Sequence, residues 1–141
     1  MFVGQRVEFA HSPHWELWRG NNSWVDAFEW VRVNTPRDAY FALDPYYLEA
    51  KGEDFHSFRA LAERSQMADA VKDAAVVTQV PDLAPLWVQQ TQAASGWKHF
   101  EKQDFLRLQQ EFGVDWIVVQ GAGAEGLDCP YKNAAVAVCR L

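Results

Sequence analysis

Residues 22–45 hold the tightest local constraint in the chain. Asn22 or Ser23 is a good helix N-cap, because either side chain can accept from the free amides of a first turn. Trp24, Ala27, Phe28 and Val31 then recur at spacings of three and four, one face of a helix, with Trp30 beside it. Asn34-Thr35-Pro36 stops that helix, since the residue before a proline avoids helical geometry. Asp38-Ala39-Tyr40-Phe41-Ala42-Leu43 follows as a compact apolar strand, and Asp44-Pro45 ends it. A helix that gives way at once to an apolar strand points to an α/β layer.

The rest of the chain continues the alternation. Tyr46 to Asp54 reads as a polar loop containing Gly52. Phe55 to Arg64 reads as a short helix, with Phe55, Phe58, Leu61 and Ala62 on one side. Gln66 to Val80 admits two readings. Met67, Ala70 and Val71 fit a helix, whereas Ala74-Ala75-Val76-Val77 fits a strand, and periodicity does not separate such short runs. Leu83 to Ala94 is expected to be a helix with Pro85 in its first turn, where the missing N–H costs nothing. Lys102 to Phe112 is a clearer helix: Phe105, Leu108 and Phe112 share a stripe and Gly113 suits the C′ position. Asp115 to Val119 is a buried strand, Gln120 to Gly126 a glycine-rich turn, and Tyr131 to Leu141 a closing hairpin. The expected fold is a layered α/β domain over residues 22–141. Its sheet is mostly parallel, with an antiparallel C-terminal hairpin at the edge. Residues 1–21, rich in Trp, His and Pro from His11 onward, read as an irregular lead-in.

Composition bounds the function classes. The chain has 141 residues, 49% hydrophobic and 23% charged, which excludes a disordered tail. At this length roughly two thirds of the unfolded surface can be buried, enough for a core without metal or disulfide staples. The longest apolar run, Ala134 to Cys139, is far short of the ~18 residues of a membrane span, and Met1 to Arg6 contains no apolar signal core. The net charge is −6 and the basic residues are scattered. Nucleic-acid binding needs a concentrated basic face, so no nucleic-acid partner is expected. The seven Trp read as core and helix-face residues rather than stacking platforms.

Chemical motifs are sparse. Gly121-Ala122-Gly123-Ala124-Glu125-Gly126 matches G-x-G-x-x-G after a strand, but Asp128-Cys129-Pro130 comes next instead of an apolar helix. Too little chain remains for a helix, a strand and a ribose-holding acid, so neither a dinucleotide nor any other cofactor is expected. His11, His14, His56 and His99 are dispersed, with no HxH or HxxxH spacing, and no metal is expected. No Ser stands in a G-x-S-x-G setting. Carboxylate pairs such as Glu53-Asp54 read as solvated surface. Cys129 and Cys139 flank Asn133-Ala134 and lie in no CxxC. If the chain turns there they face each other. Two readings stay open, a bridge across the hairpin or two thiols packed as small hydrophobes.

The most unusual stretch interleaves His56, Arg59, Arg64, Asp69, Lys72 and Asp73 with apolar residues. In open α/β sheets ligands settle outside the carboxyl ends of the strands, and this stretch comes after the strand Tyr40–Leu43 in the chain. Arg59, Arg64, Asp69, Lys72 and Asp73 are therefore expected to converge near that edge, beside Asp44, as a seat for an anionic group. The competing reading is an internal ion-pair network, which clusters charges equally well.

Two parts of the chain resemble a known kind of protein. Trp24 to Ala39, a Trp helix followed by Asn-Thr-Pro and an acidic residue opening a strand, resembles a recurring segment of large bacterial multi-pass membrane proteins. Phe58-Arg59 through Arg64-Ser65, Asp69 and Lys72-Asp73 resembles the adjoining segment of those proteins. The end is similar too: Phe112 to Val119, Pro130 to Asn133 and Val136 to Leu141 look like the close of the soluble C-terminal domain of proteins built like C-type glycosyltransferases. The resemblance covers most of residues 22–141. It implies a membrane region ahead of this domain and a place on the extracytoplasmic face of the bacterial inner membrane, where a Cys129–Cys139 bond would be favoured. In such glycosyltransferases the catalytic acids sit on loops of the membrane region, and none carries over to this chain.

The expectation is thus a non-catalytic domain that packs on the membrane region of its own parent chain and assists in binding a substrate or partner, such as a lipid-linked or acidic ligand. The rivals are a small stand-alone enzyme using Asp44, His56 or Asp69 as acid or base, and a stand-alone ligand-binding module.

Overall fold

The computed structural model describes residues 22–141; the lead-in expected over residues 1–21 lies outside the described residues. The helix α1 runs Ser23–Asn34, and Asn22 caps it, its Oδ1 accepting from the amides of Trp24 at 2.9 Å and Val25 at 3.1 Å. Thr35 turns extended before Pro36, and strand β1 follows at Tyr40–Leu43. A 3-10 turn at Tyr47–Glu49 and a short helix α2 at Phe58–Ala62 lead to the two-residue strand β2, Ser65–Gln66.

The ambiguous stretch reverses both readings: Met67, Ala70 and Val71 lie outside any helix, whereas Ala74 to Val77 belong to helix α3, Lys72–Gln79. A 3-10 turn at Pro81–Leu83 joins it to α4, Ala84–Ala93, with Pro85 in the first turn as expected. After a 3-10 turn at Trp97–His99 comes α5, Lys102–Phe112, opened by a capping box of Glu101 and Asp104 and closed by Gly113 at φ +76°. Strands β3 (Trp116–Gln120), β4 (Asp128–Lys132) and β5 (Val136–Arg140) complete the chain.

The sheet order is β2-β1-β3-β5-β4. β1 pairs parallel with β2 and β3, and the C-terminal β4–β5 hairpin joins antiparallel through β5. The sheet is therefore mixed, within the α/β architecture the sequence predicts. Alternation along the strands divides the core in two. Phe41, Leu43, Trp116, Val118, Val136 and Val138 face α1 and α2, packing on Ala27, Phe28, Val31 and Phe58. Ala42, Ile117, Val119, Ala137 and Cys139 face the other way, onto Phe105 and Leu108 of α5 and Trp97. Helices thus cover both faces of the sheet.

Two expectations change here. The segment Tyr46 to Asp54 is more than a polar loop: Tyr46, Glu49, Lys51 and Asp54 are exposed, but Tyr47, Leu48 and Glu53 are buried, and Tyr47 stacks on Trp24 with ring centres 6.4 Å apart. The open question about the cysteines closes: Cys129 and Cys139 are bonded, their Cα atoms 3.8 Å apart, from opposed strands. Among the described residues no helix is long and apolar enough to cross a membrane.

Candidate functional site

The charged stretch meets at the carboxyl end of β1 only in part. Leaving β2, the chain runs on beside β1: the Met67 amide donates to the Phe41 carbonyl and that of Ala70 to the Pro45 carbonyl. This places Asp69 next to the end of β1. Asp44 there makes a local turn, its Oδ1 accepting from the Tyr46 amide at 2.9 Å. Asp69 is buried and its Oδ1 accepts from the amides of Val71, Lys72 and Asp73 at 2.8, 2.6 and 3.2 Å. It therefore caps α3, where an anion is favoured by the free amides and the helix dipole. Arg59 forks onto Asp73 at 2.9 and 3.1 Å, donates to the Gln66 carbonyl at 3.2 Å and lies 3.9 Å from Asp69. Asp73 Oδ2 in turn accepts from the Asp69 amide at 3.0 Å. Arg59, Asp69 and Asp73 form an internal network that ties α2, β2 and the start of α3 together.

Arg64 and Lys72 do not join it. Arg64 is buried and points away, under the end of α1. Its guanidinium donates to the carbonyls of Thr35 at 2.7 Å, Glu63 at 2.9 Å and Arg32 at 3.0 Å, and to Thr35 Oγ1 at 3.2 Å. The expected place beside Asp44 is thus corrected for Arg64: the C-terminal carbonyls of two helices compete for it and win, because they carry partial negative charge and lack other partners. Lys72 is exposed, and its ammonium sits 5.0 Å from the centre of the Phe55 ring.

His56 belongs to a different feature, the turn around Glu53. Its amide donates to Glu53 Oε1 at 2.7 Å, and its Nδ1 lies 2.6 Å from the Glu53 carbonyl, which places the ring proton on Nδ1. Glu53 is fully buried, and its Oε2 is the only buried side-chain oxygen or nitrogen among the described residues without a hydrogen-bond partner. Burial pushes its carboxyl up to about 8; the His56 amide, the Lys72 charge and the Phe55 amide pull the other way without cancelling it. Nearby, the Tyr47 hydroxyl accepts from the Phe58 amide at 2.8 Å, and burial drives its proton affinity up as well. Neither residue stands out in the sequence, where Glu53 reads as surface. The signal that bears on them is Tyr47-Leu48, a bulky apolar pair inside a segment otherwise polar.

The glycine loop has a packing explanation. Gly123 sits at φ +121°, and a Cβ there would lie 3.0 Å from Cys129 Sγ, so a side chain at this position would be strained and would crowd the disulfide. Strand β4 comes after the loop, not a helix that would hold a pyrophosphate. Among the described residues no three His, Cys, Asp or Glu side chains converge to hold a metal ion.

The largest departure from an ordinary surface is the arm made by α3 and α4. Neither helix buries a single residue, and Val76, Val80, Leu83, Leu86 and Val88 are exposed. Between Ala74 and Gly96 the one charged residue is Asp82. The arm is held to the body by Trp87, whose Nε1 donates to the Asp69 carbonyl at 2.8 Å, and by Gln90, whose Oε1 accepts from the Ala68 amide at 2.8 Å. Between the arm and the β2 edge lies a cavity of about 420 Å³ lined by Tyr40, Arg59, Gln66, Val77, Leu86 and Trp87. Compared with known proteins, the chain matches no family model, no curated protein and no solved structure.

Proposed function

We propose that this chain is a non-catalytic domain of a polytopic bacterial membrane protein, similar in plan to C-type glycosyltransferases. Its α3–α4 arm packs on the membrane region of the parent chain, on the extracytoplasmic face of the inner membrane. The observation that carries the reading is the arm: two consecutive helices with no buried residue, five exposed large aliphatic side chains and a single charge between Ala74 and Gly96. An apolar surface of that kind is a site for contact with another apolar surface. The carboxylates support a non-catalytic role, since Asp44, Asp69 and Asp73 accept from backbone amides or from Arg59 and hold the fold in place. An acidic or lipid-linked ligand, as part of the same proposal, would meet Lys72, which is exposed and lies outside the Arg59–Asp73 network. A second reading, a ligand-binding module, is favoured by the 420 Å³ cavity beside the arm.

The test uses the gene's full reading frame. A photo-crosslinking residue at Leu83 or Leu86 should join this domain to apolar segments of the same polypeptide. The reading fails if the frame encodes no apolar segments of ~20 residues, or if crosslinks at these positions never reach them.

A further inference from the structure

The turn Gly52–His56 combines three features that do not belong to an inert loop. Its backbone is left-handed at Gly52, Asp54 and Phe55, with φ of +85°, +58° and +62°. Asp tolerates that region and Gly prefers it, but Phe enters it rarely. Phe55 is more than half exposed, so its own burial does not hold it there. What the turn does achieve is to fold Glu53 fully inside, with one carboxyl oxygen on the His56 amide and the other without a hydrogen-bond partner, the pull of the nearby Phe55 amide being too small to offset burial. A carboxylate in that position would carry an unsolvated charge; a carboxylic acid carries none.

Few neighbouring charges relieve it. Lys72, at the start of α3, is the nearby cation, exposed to water and set over Phe55. Asp54, in the turn itself, is a like charge. Tyr47 on the 3-10 turn is neutral, and the Asp69 carboxylate and Arg59 guanidinium that also act on Tyr47 belong to the network of α2 and α3. His56 donates from its backbone amide, and its ring proton points to the Glu53 carbonyl. The turn is tied to the rest of the fold by Asn22, whose Nδ2 donates to the Gly52 carbonyl at 3.1 Å and to Asp54 at 3.3 Å. Asn22 is also the cap of α1. Movement of the turn therefore reaches the start of the helix that opens one half of the core.

We propose that this turn is a proton-operated latch: it is closed while the Glu53 carboxyl holds its proton, and it opens when the proton leaves for water and the carboxylate swings out to be solvated. Opening lets Asp54 and Phe55 leave the left-handed region, frees Lys72 from the Phe55 ring and loosens Asn22 from the turn. Closure re-buries the acid and restores these contacts. The latch rests on the Gly52–His56 turn and not on what the apolar face of the α3–α4 arm contacts.

Linkage sets the expected response. In the open state Glu53 has its ordinary proton affinity near 4.5, whereas in the closed state it holds the proton up to about 8. The opening equilibrium should then rise roughly tenfold per pH unit between these values and level off above. The measurement is amide hydrogen exchange of the 50–57 segment in the whole chain, from pH 5 to 9, with each rate divided by its intrinsic chemical rate. The corrected rate should climb between pH 5.5 and 7.5 by roughly 50–100-fold in wild type. Glu53→Gln, neutral at every pH and of the same shape, should be flat over that range. A flat wild-type profile overturns the latch, as does a Glu53→Gln protein that keeps the wild-type slope. To guard against a change of fold in Glu53→Gln, the wild-type Glu53 carboxyl is also titrated by carbon NMR. A midpoint near 4.5 refutes the proposal irrespective of the variant.

Discussion

Arg64→Ala separates a binding arginine from a fold-holding one. The Arg64 side chain lies 8% exposed between the end of α1 and the end of α2. Its guanidinium reaches carbonyls on both, with Thr35 at 2.7 Å and Glu63 at 2.9 Å, and holds Arg32 at 3.0 Å. Truncation leaves these oxygens buried at the negative ends of two helices with no replacement donor. A hydrogen bond from a charged donor is worth about 1.5–3 kcal/mol, and the bonds of one side chain do not add fully. The expected loss is thus about 3–5 kcal/mol, a large share of the ~6–18 kcal/mol typical for a domain this size. With an m-value of ~2 kcal/mol per molar urea the midpoint should fall by about 1.5–2.5 M. The assay is urea unfolding followed by Trp fluorescence and by far-UV circular dichroism. Arg64→Lys keeps the charge but not the fork, and should recover less than half of the loss. A midpoint change below about 0.5 M for Arg64→Ala, or full rescue by Lys, refutes the reasoning.

Three further outcomes rest on the geometry. Replacing Cys129 and Cys139 together by Ser opens a loop of sequence separation 10 and should cost about 2.7 kcal/mol on the loop-entropy model, a fall of about 10 °C in Tm; a loss below about 1 kcal/mol would mean the strands hold themselves. Gly123→Ala should destabilise by about 1–3 kcal/mol through its φ and the contact with Cys129, whereas titrating NAD, NADP or FAD into the wild type should leave Tm unchanged; a saturable rise with any of them would overturn the expectation that this loop binds no dinucleotide. The burial of Glu53 sets a pH dependence. Because the folded state raises its proton affinity, its contribution to stability is greatest below about 4.5, declines as pH rises to about 8 and is level above, and Glu53→Gln removes that slope from urea midpoints measured across the range.

Neighbours along the chain decide part of this fold. Asn22 accepts from amides two and three residues on, Pro36 forbids helix at Thr35, and Gly113 takes the left-handed turn that ends α5. These are short-range effects, so α1, β1, α5 and the closing hairpin with its opposed cysteines are legible in the sequence without any knowledge of packing. The two-residue β2 is not, because it exists only where β1 offers an edge to pair with. Long-range packing settles the polar residues. Arg59 and Arg64 stand a few positions apart in one charged stretch, yet one lies across a carboxylate and the other under two helix ends, because Arg59 sits on α2 while the left-handed Glu63 ends the helix and turns Arg64 away. Glu53 looks like surface in a polar run, and only the left-handed turn at Asp54 and Phe55 carries it inside. The sequence shows α3 and α4 to be apolar but does not say where they sit, and only the three-dimensional arrangement leaves their apolar residues outside. Local spacing records which residues share a face, as it does for Trp24, Ala27, Phe28 and Val31, but whether that face is covered depends on what arrives from far along the chain.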